Sequence, residues 1–102
     1  MASGYWGSLA KCDLPMQTFD LFLSELKTIN PDFIIWTGDN TAHDIWAQSQ
    51  SYNINFTTVL TQKIKSVTNA TVIPSMGNHE SYPVNVYDYT NNREDMLKQA
   101  LA

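Results

Sequence analysis

One arrangement restricts this chain more than any other. Two short β-rich runs, "DFIIWTG" ending at Gly38 and "ATVIPSMG" ending at Gly77, flank a long stretch of helical periodicity. Strand, crossover helix, strand is a βαβ unit, which makes the two strands parallel neighbours. The expected strands are 33–37 and 71–76, with Pro74 marking a weak point or a bulge in the second. Between them, from about Ile45 to Val67, the residues Phe56, Leu60, Ile64 and Val67 share one helical face. An earlier helix carries Phe19, Phe22, Leu23 and Leu26 at i, i+3, i+4 and i+7. Asp13 is its expected N-cap, with Pro15 in the first turn, and Asn30-Pro31 ends it because the residue before proline avoids the α region.

That geometry gives the strand ends a meaning. In a parallel sheet both C-terminal ends open on the same edge, where open α/β sheets bind ligands. Asp39 follows Gly38 at the first end and Asn78 follows Gly77 at the second. The chain has only two histidines, and both stand beside these steps: His43 four residues after Asp39, His79 directly after Asn78. The glycines allow sharp turns and a close approach of backbone. Gly-Asp and Gly-Asn are also ordinary turn chemistry, and either alone reads as structural. The coincidence of two strand ends, two Gly-Asx steps and both histidines favours a site.

The residue types suit phosphate chemistry on divalent metals. A carboxylate such as Asp39 can bridge two cations, and the amide oxygen of Asn78 is a neutral ligand. An imidazole binds zinc or, protonated, donates to a developing oxyanion. Two metals about 3.5–4 Å apart clamp a phosphate and activate a water. A histidine next to a metal ligand can then protonate the leaving oxygen.

Composition narrows the alternatives. With 102 residues the chain is one domain at most, and 43% hydrophobic with 16% charged residues is a globular balance. A net charge of −4 with six scattered Lys and Arg gives no footprint for nucleic acid. The apolar run Phe33–Trp36 falls far short of the ~20 residues of a membrane span. The start "MASGYWGSLAKCD" has neither a basic n-region nor an apolar h-region, so it does not read as a secretory signal. The single cysteine, Cys12, fits either a buried thiol of a cytosolic protein or a secreted protein whose second cysteine lies elsewhere. Asn55-Phe56-Thr57 and Asn69-Ala70-Thr71 match the N-glycan acceptor pattern.

At the residues just named, the chain resembles the calcineurin-like metallophosphoesterases, which carry "GD" and "GNHE" at successive strand ends. The strings "GYWGSLAKCDLP", "WTGDNTAHDIW" and "GNHESYPVN" are similar to the acid sphingomyelinase branch of that superfamily, over about residues 4–86. The resemblance implies an α/β fold: a βαβ fragment of a metallophosphoesterase β-sandwich with flanking helices. It implies that Asp39 bridges two zinc ions, that Asn78 ligates one, and that His43 and His79 sit over the phosphate and the leaving group. Glu80 is expected as a hydrogen-bonding support rather than a ligand. The resemblance further implies a disulfide partner for Cys12 upstream of this chain, and a secreted or lysosomal glycoprotein with glycans at Asn55 and Asn69.

The family's Asp-x-His and Gly-His-x-His ligand segments have no counterpart, since no histidine follows His79. The segment 87–102 is unmatched and is expected to form a short helix from Asn92. Residues 1–102 therefore read as a partial catalytic domain. Two functions compete: a phosphodiester hydrolase in the intact protein, acting on sphingomyelin or a nucleotide-type phosphodiester, or an inactive fragment or binding module keeping half of the metal site.

Overall fold

The computed structural model describes residues 4–87. The helix expected from Asn92 lies outside them. The described elements run in the order α1 (Met16–Ile29), β1 (Phe33–Trp36), a single 3-10 turn (Ile45–Ala47), α2 (Gln50–Val67) and β2 (Thr71–Pro74). The strands form a parallel pair in the register Phe33↔Thr71, Ile34↔Val72, Ile35↔Ile73 and Trp36↔Pro74. The βαβ reading therefore holds, with both strands shorter than expected at their C-terminal ends. Pro74 introduces no bulge: it closes β2 opposite Trp36, where the ladder ends anyway.

Pleating sorts the strand residues. Ile34, Trp36 and Val72 turn to the helices and pack on Leu23, Leu26 and Ile64, with Phe19 and Val67 completing the cluster. Fully burying an aliphatic side chain contributes about 1.5–3 kcal/mol, so these few residues hold the two helices to the sheet. The opposite sheet face, Phe33, Ile35 and Ile73, is exposed. Phe22, expected on the buried stripe of α1, is also exposed; at i−1 from Leu23 it lies at the margin of the stripe, and the sheet covers only the Leu23–Leu26 side.

Both helix starts differ from expectation. α1 begins after Pro15 with no side-chain cap, because Asp13 is engaged elsewhere. Its C-terminus is set by Asn30, left-handed at φ 50, whose N–H donates to the Leu26 carbonyl. The single helix expected from Ile45 is divided: after the 3-10 turn the chain is extended at Gln48 and Ser49, and Ser49 caps α2 by accepting from the Tyr52 N–H. The Gln48 amide causes the break. It is buried and donates to the Ala42 carbonyl and the Asp44 carboxylate, tying the segment back to the β1 loop.

Candidate functional site

The strand-end loops meet at one edge of the sheet, as parallel pairing requires. Gly38 has φ 80 and Asp39 φ 58, so the chain reverses in two successive left-handed residues. The approach is so close that a Cβ on Gly77 would lie 2.7 Å from the Asp39 carboxylate carbon, and one on Gly38 would overlap the Gly77 nitrogen. The glycines thus make room for each other's loop. Across the gap, the His79 N–H donates to Asp39 Oδ1 at 3.1 Å. This bond ties the Asp39 loop directly to the residue after Asn78, although the two expected ligands lie 39 residues apart in sequence.

Glu80 fastens the junction. Its carboxylate is buried and accepts three backbone N–H groups: Gly77 at 2.6 Å, Asp39 at 3.0 Å and Asn40 at 2.7 Å. A carboxylate spent on three amides is not free to bind a metal, so the geometry agrees with a supporting role. The Tyr87 hydroxyl adds a bond to the Gly77 carbonyl.

The two histidines come together, with ring centroids 4.5 Å apart and planes at 67°. They are held in different ways. His43 is exposed, and Asp13 grips it twice: Oδ2 accepts the His43 N–H at 3.0 Å and Oδ1 meets ring Nδ1 at 2.5 Å. The bonds to the His43 ring and backbone hold the Asp13 carboxyl below its ordinary value, against a smaller upward push from burial. His79 is buried. Its carbonyl accepts from the Thr41 hydroxyl at 3.1 Å and the Asn53 amide at 3.2 Å, while ring Nδ1 is enclosed with no hydrogen-bond partner among the described residues.

Asn78 is exposed. Its side-chain N–H donates to Asn85 Oδ1 at 2.8 Å, which leaves its own Oδ1 without a partner among the described residues. Asp39 Oδ2 is likewise unengaged among them. Carboxylate and amide oxygens are of the kind that hard divalent metals take, and both belong to the loops that the glycines let meet. They fit part of a site: among the described residues no three His, Cys, Asp or Glu side chains group as metal ligands. Thr41, Asn53, Asn85 and the pairing of Asp13 with His43 were not anticipated from sequence. For Asn53 a signal existed, since it precedes Phe56, Leu60, Ile64 and Val67 in the same helical phase.

The calcineurin-like phosphoesterase family profile matches residues 13–100. The chain is similar to the sphingomyelin phosphodiesterase of Bos taurus, 45% identical over 85 residues that make up 81% of this chain and 14% of the relative. Against the Homo sapiens sphingomyelin phosphodiesterase it is 41% identical over 87 residues, 83% of this chain and 14% of that one. Against sphingomyelin phosphodiesterase A of Dictyostelium discoideum it is 44% identical over 85 residues, 80% and 15%. The chain thus spans about 14% of the length of these curated relatives.

Proposed function

Because the chain belongs to the calcineurin-like phosphoesterase family, we propose that the intact protein is a phosphodiester hydrolase of the acid sphingomyelinase-like type, and that residues 1–102 are a part of its catalytic domain. The observation that carries this reading is the bond from His79 N–H to Asp39 Oδ1, which brings the two Gly-Asx steps together with both histidines. Three similar proteins named sphingomyelin phosphodiesterase favour sphingomyelin over a nucleotide-type substrate.

The family implies divalent metal ions, and in our reading they are two zinc ions, with Asp39 and Asn78 supplying oxygens to them. When bound, they provide Lewis acidity that polarises phosphate and water. This chain's own residues do the rest. Asp39 is held in position by Gly77 and by the His79 N–H. His43, oriented through Nδ1 by Asp13, donates to the phosphate oxygens. His79 delivers a proton to the leaving oxygen. With two of the expected ligands, the 102-residue chain binds zinc weakly and is inactive alone. Asn55 and Asn69 are exposed and so accessible to glycans; a glycosidase-sensitive mass on secreted protein checks the secretory reading.

The test is turnover of bis-p-nitrophenyl phosphate and of sphingomyelin with zinc, by this chain and by a longer product of the same gene. The longer form is expected to be active and this chain not. In the longer form, Asp39→Ala loses metal and activity together. His79→Ala keeps metal and loses about 100- to 10,000-fold in rate. Turnover by the 102-residue chain would overturn the partial-site reading, and full rate without His79 would remove its assigned role.

A further inference from the structure

The loop after β2 is closed on itself from Asn78 to Asn85. The Asn78 carbonyl accepts the Asn85 N–H at 3.2 Å and the Ser81 hydroxyl at 3.0 Å. Ser81 is buried, and its oxygen also accepts the Val86 N–H at 3.1 Å. Asn85 sits at φ 66, a left-handed conformation that asparagine tolerates better than most residues. That conformation turns the Asn85 side chain back to Asn78, where its Oδ1 accepts the Asn78 Nδ2–H at 2.8 Å.

A carboxamide has one oxygen and one N–H2 group, and only the oxygen can bind a cation. An Asn ligand therefore has a failing that Asp lacks: rotated by half a turn, it presents N–H to the metal. Whatever accepts from its nitrogen decides which way it faces. Residues that orient ligands in this manner change metal affinity by about 10–100-fold when removed.

We propose that Asn85 is the positioning residue for Asn78: by accepting from Nδ2 it fixes the amide so that Oδ1 is presented to the metal. The proposal rests on the reading of Asn78 as a metal ligand. Asn85 touches neither metal nor substrate in this role and acts through Asn78 alone.

The experiment measures zinc affinity of the longer gene product by competition with a chelating indicator, in the wild type and in Asn78→Ala, Asn85→Gly and Asn85→Asp. Glycine keeps the positive φ without strain and deletes only the acceptor. Aspartate can accept and cannot donate. Asn85→Gly is expected to weaken zinc binding about 10–100-fold. Asn85→Asp is expected to bind at least as tightly as wild type. This rescue separates the proposed direction from a reversed pair, in which Asn85 would donate to Asn78 Oδ1 and which Asp would destroy. Wild-type affinity in Asn85→Gly, or a tenfold loss in Asn85→Asp, overturns the proposal. Should Asn85→Gly fail to fold, the Asp variant decides alone. Asn78→Ala keeps the two readings apart: unchanged zinc affinity there refutes the ligand role of Asn78 and the proposal with it, whereas loss there with no loss in Asn85→Gly overturns the proposal only.

Discussion

The two strand-end loops carry the same sequence device, a Gly-Asx step with a histidine nearby, yet they hold their histidines by opposite means. In the β2 loop the backbone is fixed while ring Nδ1 makes no hydrogen bond: the His79 carbonyl has two donors, its N–H has Asp39, and Nδ1 has no partner among the described residues. In the β1 loop the ring itself is held, by a carboxylate from the segment before α1. His79 is placed through its buried main chain and His43 by an exposed hydrogen-bonded pairing with Asp13. The difference teaches that a buried group can be positioned through its main chain, whereas an exposed one needs a partner on its side chain.

The strongest way to break this contrast is Glu80→Ala. It removes the acceptor of three N–H groups shared between the loops, and each stranded donor costs about 1–3 kcal/mol. A stability loss of roughly 3 kcal/mol or more in denaturant unfolding is expected, with both loops released together. A loss below about 1 kcal/mol would mean that the loops stand without the carboxylate. Asn53→Leu probes the β2 side alone. It removes one donor to the His79 carbonyl and also an Oδ1 that is buried without a partner. With Thr41 still donating, a change within about 1 kcal/mol is expected. A larger loss would show Asn53 to be the principal anchor.

Asp13→Asn probes the β1 side and has the smallest effect on stability, a few tenths of a kcal/mol for so exposed a pair. Its signature is in the pH dependence. The Asp13 carboxyl titrates lower in the folded chain than its ordinary 3.8. Its contribution is therefore fully present above that value and is lost as pH falls below it through the folded pKa. The wild type should lose stability more steeply than Asp13→Asn in that acid window, and equal slopes in acid unfolding would refute the pairing.

Much of this arrangement was legible in the sequence, because periodicity reports which residues share a face and parallel pairing reports which ends converge. Asp39, Asn78 and both histidines follow from those two rules, and Glu80 from its place in "GNHE". Asp13's sequence context offers a local helix cap, while its actual partner lies 30 residues away and is created only by the fold. The break at Gln48 escaped notice for the same reason. Its cause is a buried amide reaching back to Ala42 and Asp44, which periodicity does not register. Asn85 carries only a weak signal, its being asparagine, the residue that takes a left-handed φ more readily than most, and that does not say which side chain it meets.

Glu80 has a kinetic meaning as well. Its acceptors reach Asp39 and Asn40 across 41 and 40 residues of chain. Closing a loop of that length costs about 3 kcal/mol in chain entropy before any bond forms. The bond to Gly77 spans three residues and needs no such closure, so the cost falls on the bonds to Asp39 and Asn40, which are made together to one carboxylate. The amides of Asp39 and Asn40 should therefore exchange hydrogen together, as one cooperative unit.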